Sequence, residues 1–349
     1  MTPDWKTVLE NAGAEFNEGG VAHYGNPCRE LSVALTGNVF ADLSHYGLIS
    51  VHGEDAAEFL LGQFTNDLRD VDEQHSQYSG YCSAKGRLLA TFRIFRRGDS
   101  FYLSLPAQIL ESLISKLRMY VLRSKVTLED ASDTFVHLGV SGETAAADLE
   151  KAFGSLPGKV HEIIQNDDGL IIRVPGIRPG YEVFTTPEHA ADLWDALNVR
   201  SAPVGADAWQ LLDIEAGIPE IAPATREAFV PQMTNLQLID GVSFRKGCYP
   251  GQEIVARMQY LGKLKRRMYR AHIEGDDRPQ PGDEIFPAKA EAQSVGKLVS
   301  AAPHPDGGFA ALVVLQIASA ESGEALHAGT SDGPTLTLES LPYPFPTEE

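Results

Sequence analysis

Residues 243–271 read SFRKGCYPGQEIVARMQYLGKLKRRMYRA and set Cys248 between Gly247 and Gly251, just after Arg245 and Lys246. A thiol reacts as its thiolate, which nearby Lys or Arg side chains and the positive end of a helix favour. Arg245 and Lys246 supply charge, and Pro250 suits the first turn of a helix running through Ile254, Val255 and Met258, with Cys248 near its start. The two glycines let the backbone bend closely around the thiol. Cys248 and Lys246 are therefore the candidate reactive residues, against the alternative of a small buried hydrophobe, the usual fate of a free cysteine. Cys28 and Cys82 have no such surroundings and keep that ordinary reading.

Glu215, in LLDIEAGIP, lies near the end of a predicted helix, where the dipole disfavours an anion. Leu211, Leu212 and Ile214 imply that much of this helix is buried, and a buried carboxylate needs a partner. The carboxylate is either solvated or salt-bridged, or it receives two parallel N–H donors from a flat heterocycle such as the amino-pyrimidinone edge of a pterin. The run Lys263, Lys265, Arg266, Arg267 and Arg270 is either one solvated face or a holder for an anionic ligand, a polyglutamate tail or a patch of tRNA phosphate. Arg257 follows Glu253 by one helical turn, the spacing of an i, i+4 pair.

The elements that must position these residues follow from pattern. A capped helix is predicted from Asp4 to Ala12, ended by Gly13. Ile49 and Val51 alternate as in a strand, after which Gly53 turns the chain into a helix carrying Phe59, Leu60 and Phe64. The stretch from Gly80 to Pro106 reads as antiparallel strands turning at Lys85-Gly86 and Gly98-Asp99. Leu110, Leu113, Ile114, Leu117 and Val121 mark an amphipathic helix. A second mixed unit follows, with a strand in TFVHLGVSG, helices over Ala145–Phe153 and Glu188–Asn198, and strands flanking Asn166–Gly169 and in YEVFTT. ADAWQLLDIEAG is a further helix, ended by Gly217 and Pro219. After residue 270 only short strands remain, cut by Pro and Gly: PGDEIF, SVGKLVS, AALVVLQ. Helices and strands mixed, then strands alone, argue for α+β with a terminal all-β sandwich or barrel.

Composition bounds the function. A chain of 349 residues makes two or three domains. Its 29 basic and 48 acidic residues give a net charge of −19, which excludes broad electrostatic binding to nucleic acid or anionic membranes unless positive charge is concentrated locally. Three widely spaced cysteines make no disulfide framework, and without a C-x-x-C pair a structural zinc or self-contained iron–sulfur cluster is not expected; no metal site is assigned. The N-terminus shows no secretory signal, no run of ~18 apolar residues occurs, and a reducing cytoplasm fits the cysteine usage.

NLQLIDGVSFRKGCYPGQEIVAR resembles the signature of the YgfZ family of folate-binding proteins, K-G-C-Y-x-G-Q-E, and Lys246 to Glu253 match every fixed position. DIEAGIPEI, GQFTNDL and YCSAKGRLLATFRIF resemble the same family, so the likeness runs along nearly the whole chain. The resemblance, shared with the T-protein of glycine cleavage, implies mixed antiparallel α+β domains around a central folate channel with a C-terminal β-barrel. Residues 1–262 would form the folate-binding region, as two interleaved subdomains divided near 130–205, and residues 263–349 the barrel. It further implies tetrahydrofolate as cofactor, iron–sulfur client or assembly proteins as partners, and through them tRNA modification. Glu215 matches the folate-binding glutamate, Tyr78 matches a pocket tyrosine, and Arg257 completes the cofactor-binding candidates. T-proteins carry an aspartate after G-G-I, whereas Gly86–Thr91 here contains no carboxylate. Three classes follow: a folate-binding accessory factor, a folate-dependent aminomethyl transferase, and a cysteine hydrolase. The missing carboxylate counts against the second. The third lacks a histidine in recognisable relation to Cys248.

Overall fold

A computed structural model describes residues 1–17, 19–289 and 293–345. The chain divides into two units, each gathered from separated stretches: Met1–Ala56, Asp70–Gln77 and Arg93–Leu212 in the first, Ala57–Arg69, Tyr78–Phe92 and Asp213–Glu349 in the second.

The first unit is built on two large sheets, beside a two-stranded one of Glu15–Asn17 and Gly20–His23. One runs in the order Ile163–Asn166, Gly169–Val174, Gly180–Thr185, Val136–Ser141, Val39–Asp42, Ala202–Val204, antiparallel except for its last pair. Helices Pro3–Asn11, Glu143–Phe153 and Pro187–Asn198 bury Trp5, Leu9, Leu149 and Trp194 in one apolar cluster with Phe40 of this sheet. The second sheet joins the 93–97 part of strand Leu88–Arg97 to Ser100–Pro106, Tyr46–His52 and Thr127–Asp130. Helix Ala107–Val121 carries the predicted apolar stripe. It lies so close to Tyr46–His52 that a Cβ on Gly47 would come within 2.3 Å of Leu110 Cδ1.

The second unit holds strand Gln77–Cys82 from Tyr78 onward, the start of Leu88–Arg97, helix Gln252–Tyr260 and a closed antiparallel barrel. The barrel strands are Arg266–Ile273, Phe309–Gln316, Gly296–Pro303, Glu284–Pro287, Leu326–Ala328 and Thr335–Glu339, in that order around the ring. Ala271, Ile273, Leu298, Ala311, Val313 and Leu336 alternate inward to fill it. The fold is thus α+β with a barrel, as the change of texture after residue 270 implied. The last two barrel strands were not read in the sequence, being only three and five residues long.

Two local expectations are corrected. The helix after Gly53 covers only Ala56–Leu61, and Phe64 instead forms a β-bridge with Tyr81. The helix after Cys248 starts at Gln252 rather than at Pro250, because Gly251 bends the chain with φ +79°. Among the described residues, no helix is long and apolar enough to cross a membrane.

Candidate functional site

The four stretches singled out in the sequence lie in the second unit, except for Arg93–Phe95 at the end of YCSAKGRLLATFRIF, and side-chain-to-backbone bonds draw them together. Thr65 Oγ1 donates to Gly241 O and accepts from Gly80 N, each at 2.8 Å. Asn66 Nδ2 donates to Tyr78 O at 2.9 Å and to Asp240 O at 2.6 Å. The TND of GQFTNDL therefore ties strand Gln77–Cys82 to the segment that leads into the thiol loop. Polar side chains flanked by apolar residues were the available signal, and sequence reasoning assigned Thr65 and Asn66 no role.

The loop from Lys246 to Gly251 is held at both ends. Lys246 is 6% exposed, and its Nζ donates to Phe64 O at 2.6 Å and to Leu61 O. These carbonyls lie at and just beyond the end of the short helix Ala56–Leu61, where a cation is favoured. The Tyr249 ring lies 5.0 Å from Nζ. Burial pushes the Lys246 ammonium down to about 8, opposed by the nearby Asp67 carboxylate and Cys248. Asp67 is held below its ordinary value, first by its bonds to Arg69. At the other end, Gln252 Nε2 reaches back to Lys246 O at 3.4 Å and Gly247 O at 3.3 Å.

Two glycines let a second turn approach. A Cβ on Gly251 would lie 2.4 Å from Ser83 O and 2.5 Å from Gly86 Cα; one on Gly86 would lie 2.8 Å from Ile254 Cβ. The KG turn of YCSAKGR and the PG turn of the thiol loop thus touch backbone to backbone.

Cys248 sits exposed on this loop, four residues before the helix begins. The helix start expected beside it is displaced, since Gly251 intervenes. Cys82 is buried, as expected, and burial pushes its thiol up to about 12. Cys28, expected to be buried, is exposed in the first turn of helix Pro27–Thr36, because Asn26 and Pro27 start a helix there.

Glu215 ends helix Ala206–Glu215 and is followed by Gly217 at φ +70°, the predicted stop. Its side chain is 13% exposed and ion-paired with Arg270 Nη1. Arg270 comes from the first barrel strand, and its Nε lies 3.3 Å from Glu339, directly opposite in the closing strand. One guanidinium is shared by two carboxylates. Burial nevertheless raises Glu215 above its ordinary value, with Arg270 opposing and Glu339 reinforcing. The basic run is thereby split: Arg270 turns to Glu215, away from its neighbours' role. Tyr78 is buried in its strand, and Arg257 is exposed on helix Gln252–Tyr260.

Thr91 closes the run Gly86–Thr91, which contains no carboxylate. It is 5% exposed, donates to Pro219 O at 3.0 Å and accepts from Ile221 N at 3.3 Å. Its hydroxyl is a tether for the DIEAGIPEI segment. Among the described residues, no group of three or more His, Cys, Asp or Glu side chains is placed to hold a metal ion.

The profile of the GCVT N-terminal domain matches residues 28–244. The tRNA-modifying protein YgfZ of Serratia proteamaculans (strain 568) is 32% identical over 308 residues, 88% of this chain and 93% of that protein. The tRNA-modifying protein YgfZ of Escherichia coli O7:K1 is 31% identical over 302 residues, 86% and 92% of the two chains. In fold, the chain resembles the glycine cleavage system aminomethyltransferase T from Bartonella henselae, with a TM-score of 0.78 over 98% of this chain and 97% of that one, at 20% identity.

Proposed function

This chain belongs to the YgfZ family and carries the GCVT N-terminal domain, and from that premise we propose that it binds tetrahydrofolate. In this reading it supports the assembly or repair of iron–sulfur proteins and, through them, tRNA modification. Cys248 is the reactive thiol. The observation that carries this reading is the Lys246–Gln252 loop. It exposes a cysteine while burying Lys246, two residues before it, on two carbonyls, so the thiol is presented on a loop anchored at both ends. Chemistry with a partner at Cys248 needs that kind of accessible sulfur.

The fit of a pterin to Glu215 is argued from Arg270. The 2-amino, N3–H edge of a pterin is an acylated guanidine, a planar set of N–H donors like the arginine side chain. A carboxylate that already holds one guanidinium, in a setting that raises it, is chemically suited to hold the other. Glu339 offers Arg270 a second counter-ion when Glu215 is taken. When bound, the folate supplies a one-carbon carrier or reduced pterin; this chain's residues bind and orient it. Tyr78 and Arg257 remain candidate ligand contacts. Aminomethyl transfer is the weaker reading, because the run Gly86–Thr91 contains no carboxylate.

Calorimetry with tetrahydrofolate tests this, combined with complementation of a deletion strain. The parent and Cys248→Ser are expected to bind equally, and Glu215→Ala at least tenfold more weakly, since charge-assisted hydrogen bonds contribute roughly 1.5–3 kcal/mol each. Cys248→Ser is expected to lose iron–sulfur enzyme activity in cells. Equal folate binding by Glu215→Ala, or full complementation by Cys248→Ser, overturns the corresponding half.

A further inference from the structure

The rest of the basic run lines a groove of about 860 Å³ between the entry to the first barrel strand and helix Ile317–Glu321. Lys263, Lys265, Arg266 and Arg267 stand there with apolar Leu264 and Ile317, and Glu321 is the one carboxylate among the described lining residues. Such a volume suits a small ligand or a short polymer segment.

In a chain of net charge −19, cations are expected to find counter-ions. Among the described residues, however, no ion pair engages Lys265, Arg266 or Arg267. Arg267 lays its guanidinium 4.5 Å over the Phe345 ring, and its Nε is buried without a hydrogen-bond acceptor. Immediately upstream, Tyr260 is 67% exposed and Leu261 85% exposed, with the Tyr260 ring 6.0 Å from that of Phe244. Adjacent cations and an exposed aromatic ring are what single-stranded nucleic acid uses: phosphates on the charges, a base on the ring. The net charge of −19 disfavours a long duplex more than a short strand. Helix Gln252–Tyr260, roughly 13 Å long at 1.5 Å per residue, separates this surface from the thiol loop.

We propose that the Lys263–Arg267 groove, with Tyr260 beside it, binds single-stranded RNA, seating phosphates on Lys265, Arg266 and Arg267 and a base on Tyr260. The choice of RNA rests on the tRNA connection in the reading above.

Fluorescence polarisation of the full chain with a fluorescein-labelled twelve-nucleotide oligouridine, across a salt series, tests it. Lys265→Ala/Arg266→Ala is expected to bind at least tenfold more weakly, with the slope of log affinity on log salt reduced by about 1.4, or about 0.7 per lost charge. Tyr260→Ala is expected to weaken binding about tenfold with its slope unchanged, because stacking releases no counter-ions. No binding by the parent at 50 mM salt (a low-salt condition at which phosphate contacts are strong) overturns the proposal. So do unchanged affinity and slope in the double variant, or displacement of the RNA by pentaglutamate at a lower concentration than by unlabelled oligouridine. Tetrahydrofolate calorimetry on the double variant is expected to match the parent. Failure of RNA binding therefore leaves the folate reading standing, and failure at Glu215 leaves this one.

Discussion

At the scale of single residues, Lys246 shows how a buried charge leaves a measurable trace. Its ammonium is pushed from 10.5 down to about 8, first by burial. Below pH 8 both the folded and unfolded chains hold the proton, and the folded state bears the full cost of burying it. Between about pH 8 and 10.5 the unfolded chain binds a proton that the folded chain has shed, so stability rises with pH. Urea unfolding of the parent and Lys246→Met should therefore show the parent gaining relative to the variant across that window; a flat difference would refute the assignment. At pH 7 the variant should still be less stable by about 1–3 kcal/mol, since Leu61 O and Phe64 O lose their donor. The sequence placed this lysine beside Cys248 as a source of charge. Its approach to the carbonyls of Leu61 and Phe64 depends on a segment that no local window contains.

Among the elements, the contact of two turns does most to present the thiol. Gly86 and Gly251 both have positive φ, and each faces the other's backbone. Gly251→Ala puts a Cβ 2.4 Å from Ser83 O in a left-handed residue, and is expected to cost at least about 2 kcal/mol. Gly247→Ala, where no atom lies within 4 Å of the added carbon, should be nearly neutral. A lower urea midpoint for the first with unchanged m, and none for the second, is the expected result; equal midpoints would show that the turns separate. The PG dipeptide was legible as a turn, but as a turn at the start of a helix. Its real constraint is the second turn against it.

Over the whole molecule, the sharing of Arg270 between Glu215 and Glu339 depends on barrel closure. Strand Thr335–Glu339 pairs with strand Arg266–Ile273 and so puts Glu339 opposite Arg270. If a pterin displaces Arg270 from Glu215, Glu339 receives it. Glu339→Gln should then weaken tetrahydrofolate binding several-fold in calorimetry, because Arg270 loses its alternative counter-ion and competes more strongly for Glu215. Unchanged or tighter binding would sink this exchange. The sequence showed a carboxylate in need of a partner and a cation-rich run, yet it offered no reason to join these two members across 55 residues.

What the sequence determined alone was whatever a short window encodes. The stripe of helix Ala107–Val121, the stop at Gly217, the turns at Lys85-Gly86 and Gly98-Asp99, and the shift to short strands all rest on periods of 3.6 or 2 and on the dihedral freedom of glycine and proline. Tertiary structure alone decided which side chains the buried groups answer. Lys246 finds carbonyls beyond a helix end, Glu215 finds Arg270, and the Thr91 hydroxyl finds Pro219 and Ile221. Burial obliges each polar group to take a partner, but the identity of that partner is set by which segments the fold brings within hydrogen-bonding distance.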